Sequence, residues 1–269
     1  METMKSIALN TPIVRSIIKL RYDRRFENNQ GEQLYRGVFS SYDEAAVSSP
    51  VPKVGYDHPE PAAMYKAFMT ELQSYDYPVL FWLNKVLEGD PENRRGLFDY
   101  GGHIGIKYYA YHRFLRNVLE WTVCDVPAVI LRGAGMAVDL DPDHLLRFTL
   151  SFDEVAGKRT LLCLGSLQYI EESLADKLSR VALGARPRHV LINTTAFVHE
   201  GERSFWTLNS IGTSFCPYKV QSEQAFVADM EKVGYARLDT WVNPGRSCHV
   251  PFQSSHRDFK YLGMCFGMS

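Results

Sequence analysis

The sequence carries no surplus of charge: 30 Lys and Arg stand against 31 Asp and Glu, for a formal net charge of −1. That balance argues against a nucleic-acid backbone or another polyanion as the main partner. Long apolar runs are missing as well. Residues 1–20 contain Ile13, Val14, Ile17 and Ile18, but Arg15 and Lys19 interrupt them and Arg21 follows, so the stretch is neither a signal h-region nor a membrane span. It reads as a short amphipathic helix packed on its own domain, with membrane-surface binding as the alternative.

Cysteine is sparse and shows no pairing pattern. Cys124, Cys163, Cys216, Cys248 and Cys265 are odd in number and include no C-x-x-C. Cys124, Cys163 and Cys265 lie in apolar runs, as small buried hydrophobes do, and point to a reduced, cytoplasmic setting. Cys248, His249 and His256 lack the spacing that tetrahedral zinc needs, so no metal is expected. Internal repeats and low-complexity tracts are absent. What is present is a 269-residue chain, 45% hydrophobic and 23% charged, large enough for one α/β domain with an appended segment or for two small domains.

A dinucleotide fingerprint, G-x-G-x-x-G, is also lacking: counted from Gly101 it would need glycine where His103 and Ile106 stand. The chain offers instead Leu97-Phe98-Asp99-Tyr100-Gly101-Gly102-His103-Ile104-Gly105, an apolar strand, an acidic residue and a glycine-dense turn into a helix. Glycines there let the backbone approach a ligand, and the free N–H groups of the helix start favour a negative group. Asp99-x-Gly101-x-His103-x-Gly105 resembles the acidic-x-G-x-G-x-G first motif of class I S-adenosylmethionine-dependent methyltransferases, with His103 at the middle glycine and Gly102 beside it.

From residue 96 onward strands and helices alternate at the pitch of βαβ units, which predicts a mostly parallel sheet covered on both faces. Strands are expected at 96–100, 119–124, 146–152, 160–165, 189–193, 235–242 and 259–267. Helices are expected at about 105–117, 128–137 and 168–181, and after a cap at Ser222 as far as Gly234. Before residue 96 the texture differs. Residues 31–61, rich in Ser, Pro, Gly, Tyr and Asp, read as mostly loop, and helical spacing returns at 62–72 and 78–87. Residues 194–220 read as irregular, and their aromatic and polar core, 205–213, suggests a substrate lid.

Asp125 ends the second strand of the unit, roughly 20 to 30 residues past the first motif, where doubly wound folds place a carboxylate on ribose hydroxyls; capping the helix that begins near Pro127 is the other reading. Asp99 can order the glycine loop or contact the cofactor. Gly165, Ser166, Leu167 and Gln168 end the fourth strand, where Gln168 can bond substrate or cofactor, Tyr169 can shape the channel, or the turn can simply face solvent. Methyl transfer from a sulfonium needs in-line placement and, for a hydroxyl acceptor, removal of a proton. The candidates for that are His103, His199 and Tyr218, which read equally as a backbone anchor, an exposed loop residue and a packing residue. Cys216 has no neighbouring histidine to activate it.

The likeness extends beyond one motif. Leu34-Tyr35-Arg36-Gly37-Val38-Phe39, Gly55-Tyr56-Asp57, Tyr77-Pro78-Val79-Leu80, the turn at 98–105, Gly165-Ser166-Leu167-Gln168-Tyr169-Ile170-Glu171, Ile211-Gly212-Thr213-Ser214-Phe215-Cys216-Pro217-Tyr218 and Gly234-Tyr235 together resemble a bacterial family of S-adenosylmethionine-dependent methyltransferases met among surface-polysaccharide or natural-product genes. The resemblance implies a seven-stranded Rossmann-like sheet with an antiparallel last strand at 96–269, preceded by a helical and loop cap at 1–95. It implies S-adenosylmethionine as cofactor, bound by Asp99, Gly101, Gly102, Gly105, Asp125, Gly165, Ser166, Leu167 and Gln168, and a small-molecule acceptor with a hydroxyl or amine. Fold does not fix chemistry, so a non-methylating elimination or cyclisation on the same scaffold, a non-catalytic partner subunit and a homo-oligomer all remain open.

Overall fold

The computed structural model describes residues 12–52, 54–63, 69–88, 96–115, 120–253 and 258–269. In chain order come α1 (Pro12–Glu27), β1 (Leu34–Phe39), α2 (Tyr42–Val47), α3 (Pro59–Ala63), α4 (Tyr77–Glu88), β2 (Leu97–Tyr100), α5 (Ile106–Tyr111), β3 (Trp121–Cys124), α6 (Pro127–Leu140) and β4 (Leu146–Thr149). Then follow β5 (Thr160–Leu164), α7 (Leu174–Ser179), β6 (His189–Phe197), β7 (Phe205–Ser210), β8 (Phe215–Val220), α8 (Glu223–Lys232), β9 (Tyr235–His249) and β10 (Asp258–Met268).

Seven strands form the main sheet in the order β4-β3-β2-β5-β6-β10-β9. Strands β2 to β6 are mutually parallel, and β10 runs antiparallel to both β6 and β9. This is the mostly parallel sheet that the βαβ pitch predicts, with the antiparallel last strand that the family resemblance implies. Alternation along the strands sorts their side chains into two cores. Leu97, Leu162 and Leu191 meet Val79, Leu83 and Val86 of α4 on one face. Phe98, Leu161, Cys163, Val190 and Ile192 meet Leu174 and Leu178 of α7 and Phe226 and Met230 of α8 on the other. The continuous apolar run of β5 follows from burial on both faces.

A second, antiparallel sheet, β1-β7-β8, refines one expectation and corrects another. Residues 31–61 hold β1 and α2 within the loop that the sequence predicts, and 194–220 are not irregular, since β6 runs on to Phe197 and β7 and β8 form a hairpin. The small sheet packs on the ends of β6 and β10: Tyr35, Phe205, Tyr218 and Val220 share a core with Ala196, Phe259 and Tyr261. Thr207, Asn209 and Ser210 can stay buried in β7 because each is hydrogen-bonded, Thr207 and Asn209 donating to the Arg36 and Leu34 carbonyls and Ser210 accepting from Asn29.

Smaller corrections concern lengths. The helix expected from 168 is a 3-10 turn, Leu167–Tyr169, with α7 beginning only after the Ser173 cap, whose hydroxyl accepts from Asp176 N–H. Helix α5 is shorter than expected, β4 ends at Thr149, and β9 continues seven residues past 242, to His249. Of the helix expected at 62–72, residues 64–68 lie outside the described residues, 62–63 end α3, and 69–72 are not α-helical. The N-terminal helix is held through its last turns. Tyr22 donates its hydroxyl to the Tyr35 carbonyl at 2.7 Å and Phe26 packs with Leu34 and Leu208, whereas Ile13, Ile17 and Leu20 face solvent. No described helix is long and apolar enough to cross a membrane.

Leu162 is fully buried in the central strand and Leu131 is 78% exposed on α6. Leu162→Ala should therefore lower unfolding free energy by about 2–5 kcal/mol and Leu131→Ala by less than about 0.5 kcal/mol, as read by denaturant titration.

Candidate cofactor and substrate site

A cavity of about 730 Å³ opens at the carboxyl ends of β2, β3 and β5, where Tyr100, Cys124 and Leu164 reach its wall. That volume lies within the roughly 300–1,000 Å³ of small-molecule sites, and the edge on which it opens is where doubly wound sheets bind ligands.

The floor is built by the glycine turn. Gly101, with φ +74°, donates its N–H to the Cys124 carbonyl at 2.8 Å, and a Cβ there would fall 2.2 Å from the Ser166 Cβ. Only glycine satisfies both demands. His103 takes up positive φ, +57°, itself, supplying the backbone shape that a glycine gives at this place in the motif. Its N–H donates to Asp125 Oδ2 at 2.8 Å and its ring Nε2 lies 3.1 Å from the Pro61 carbonyl, so the ring proton sits on Nε2. Burial pulls the His103 pKa down to about 4, so the ring is neutral near pH 7.

Asp99, Gly102 and Gly105 shape this turn from behind and do not line the cavity. Asp99 is fully buried, accepts from Trp121 Nε1 at 3.1 Å through Oδ2, and presses against Gly102, where a Cβ would come 2.5 Å from its Cγ. Its Oδ1 has no partner among the described residues. Burial, against the pull of the Trp121 bond, raises its pKa to about 7. Gly105 caps α5 beside Leu146.

Asp125 lines the cavity half-buried. Oδ1 accepts the Val126 N–H and Oδ2 the His103 N–H, both at 2.8 Å, while burial lifts the carboxyl to about 6. It does not cap α6: Val126 is the N-cap, and the Ala128 N–H is met by Asp57 Oδ1 at 2.9 Å, from a segment 71 residues away. At the end of β5, Gly165, Ser166 and Gln168 line the cavity while Leu167 turns into the core. Ser166 donates its hydroxyl to the Tyr100 carbonyl and Gln168 its Nε2 to the Gly165 carbonyl at 2.8 Å; Gln168 Oε1 has no partner among the described residues.

The upper half is phenolic. Tyr42, Tyr56, Tyr75, Tyr169, Tyr218 and Tyr261 line it with Lys107 and Arg246. Tyr218 and Tyr261 hydroxyls lie 2.8 Å apart, and Tyr261 and Tyr35 hydroxyls 3.0 Å apart. Burial, with Tyr261 and Cys248 beside it, pushes the Tyr218 phenol well above its usual range, so at neutral pH it exchanges hydrogen bonds without ionising. His199 is exposed on the β6–β7 connection and does not reach the cavity. Cys216 is buried, its thiol pushed up to about 12. Of the lining residues that sequence reasoning missed, Tyr56 and Asp57 carried a signal in Gly55-Tyr56-Asp57. Tyr75, Arg246 and Tyr261 come together only through the sheet.

Asp99 and Asp125 both protonate more easily folded than unfolded, so stability falls as pH rises from about 4 toward 7. Asp99→Asn should flatten much of this slope: its thermal midpoint should drop less than the parent's between about pH 5 and 8, as followed by circular dichroism.

No protein-family model matches the chain, and no curated protein matches it. Among solved structures it is similar to the magnesium protoporphyrin IX methyltransferase ChlM from Synechocystis PCC 6803 with bound SAM, at 12% identity and TM-score 0.51 over 80% of this chain and 94% of that one. It is also similar to LepI in complex with SAM, at 14% identity and TM-score 0.50 over 79% of this chain and 53% of that one. The likeness is one of fold: this is the α/β, Rossmann-like architecture of class I methyltransferases, with an N-terminal helical region.

Proposed function

We propose that the protein is an S-adenosylmethionine-dependent methyltransferase acting on a hydroxyl or amine of a small molecule, such as a sugar or biosynthetic intermediate. The observation that carries this reading is Asp125. It stands in the cavity at the end of β3 beside the glycine turn, and each of its oxygens accepts one backbone N–H. Each oxygen therefore keeps accepting capacity for a ribose hydroxyl.

The rest of the floor fits the same cofactor. Gly101 and Gly165 line the floor, and their missing Cβ atoms leave room for Ser166 and Thr194 to close beneath it, with Gln168 beside them. When bound, the cofactor supplies a methyl group on a sulfonium, which the acceptor atom takes in line as the C–S bond breaks. Asp125 holds the sugar, Gly165, Ser166 and Gln168 form the wall at the end of β5 with Leu167 packed in the core behind them, and Asp99, Gly102 and Gly105 fix the turn from beneath. His103 anchors that turn as a neutral ring, and Tyr218 orients the acceptor by hydrogen bonding. His199 has no part in this reading.

Residues 1–95 act as a cap on a methyltransferase domain at 96–269, with the β7–β8 hairpin closing against β1. Membership of the bacterial family whose motifs the chain resembles, and a cytoplasmic place of work, are the finer form of the proposal and rest on those motifs and on cysteine usage. An open cavity of this size favours catalysis over a purely supporting subunit.

Calorimetry with S-adenosylhomocysteine should show one site; no heat at about 1 mM ligand removes the reading. Only ionised Asp125 accepts two sugar hydroxyls fully. With its pKa near about 6, affinity should fall as pH drops below that value, by up to roughly tenfold per unit. Asp125→Asn should bind weakly at about pH 8 and lose that pH dependence.

A further inference from the structure

Strand β9 breaks its register where it passes the cavity. Ser247 pairs with Lys260 and Val242 with Leu262, so residues 243–246 of β9 stand opposite Tyr261 alone. On the other side of β10, Thr195 pairs with Leu262 and Ile192 with Met264, so Asn193 and Thr194 stand opposite Gly263 alone. Bulges of this kind re-aim side chains beside sites, and here two flank one strand at the cavity edge.

Asn193 and Asn243 lock them together. Asn243 donates Nδ2 to Asn193 Oδ1 at 2.8 Å and accepts the Thr194 N–H at 3.1 Å. Asn193 Nδ2 donates to the Tyr75 carbonyl at 2.8 Å, and its Oδ1 also accepts Trp241 Nε1 at 3.0 Å. One buried amide thus fixes the bulge that carries Arg246 and the backbone that carries Tyr75. The Arg246 guanidinium reaches the cavity with its centre 5.2 Å from the ring centres of both Tyr75 and Tyr261.

Those rings satisfy the cation's faces and leave its N–H edge untouched. No hydrogen bond or ion pair joins Arg246 to any described residue. The other cation of the wall, Lys107, is paired with buried Asp76 at 2.7 Å. Among the described residues Arg246 is therefore the cavity's one cation without an anion, half-buried, with five donors in a planar fork suited to two parallel bonds to one oxyanion.

We infer that Arg246 anchors the acceptor molecule, and that this molecule carries a carboxylate or phosphate besides the atom that is methylated. The inference rests on reading the cavity as a methyl-transfer site. Arg246 belongs to the phenolic upper half, with Tyr75 and Tyr261, and the floor around Asp125 is left to the cofactor. Specificity then comes from an oxyanion held by its edge and an apolar body held among tyrosines.

The test is calorimetric titration with benzoate, phenyl phosphate and neutral benzamide, on protein saturated with S-adenosylhomocysteine and on protein without it. One anion should bind at least about tenfold tighter than benzamide. Preference for benzoate names a carboxylate, and preference for phenyl phosphate names a phosphate. Arg246→Gln should abolish the preference while S-adenosylhomocysteine affinity stays within about threefold, and Arg246→Lys, which keeps charge but not the fork, should retain part of it. If Arg246→Gln does not fold, as judged by its thermal melt, Arg246→Lys carries the comparison. Anions that bind no better than benzamide, a preference that survives both variants, or loss of S-adenosylhomocysteine affinity in place of anion affinity would each overturn the assignment. A chain that shows Arg246-dependent anion binding but no S-adenosylhomocysteine binding would remove the methyltransferase reading and leave Arg246 as an anion site.

Discussion

Strands β6 and β10 are longer than the sheet that holds them, and most of the site follows from that mismatch. Strand β5 has 5 residues, whereas β6 has 9 and β10 has 11. The overhang leaves Ala196, Phe197, Phe259 and Tyr261 above the level where β2, β3 and β5 stop, and apolar surface there must be covered. The β1-β7-β8 sheet covers it, drawing one strand from before the parallel unit and two from after β6. A parallel sheet alone would offer an open edge at its carboxyl end. With this second sheet standing on the overhang, the edge becomes the floor of a cavity whose wall is supplied by Tyr218 and Tyr261.

The two halves of that cavity differ in how they treat charge. Below, carboxylates are kept near the sheet ends and held by backbone N–H groups or by Trp121, with burial lifting their pKa values toward neutrality. Above, phenols share hydrogen bonds with one another, and burial pushes Tyr218 and Tyr261 up, away from ionisation. Neither Tyr218 nor Tyr261 stands ready as a phenolate base at neutral pH. The upper half can therefore hold a ligand by hydrogen bonding and by aromatic contact.

The parallel unit was legible because its physics is local. An apolar run bounded by turn residues marks β5, proline at the first turn marks α6, and a glycine-dense turn after β2 marks the floor. The second sheet was not legible, for it is held by partners far apart in sequence. Asn209 donates to the Leu34 carbonyl across 175 residues, and β8 carries Pro217, which reads as a breaker until its neighbours are known. The same limit explains Asp57, which caps a helix 71 residues on, and Arg246, which lies past the point where periodicity ends β9. Asn243-Pro244-Gly245 carried a turn signal, but only the register of β10 turns that signal into a bulge facing the cavity.

His103 shows how a departure from a motif can add a link. A glycine there would take the same positive φ without strain, of order 1 kcal/mol for another residue. Histidine accepts that strain and gains a ring that reaches the Pro61 carbonyl, 42 residues back, while its backbone N–H holds Asp125, 22 residues on. The glycine turn, the Asp125 carboxylate and the segment that carries Pro61 are thereby joined at one residue. A histidine can hold this place only as the neutral Nε2–H form, because the acceptor on Pro61 is a carbonyl and a second, charged proton would lie in a buried setting. Burial that keeps His103 neutral is thus what lets the Pro61 carbonyl hold the glycine turn in position.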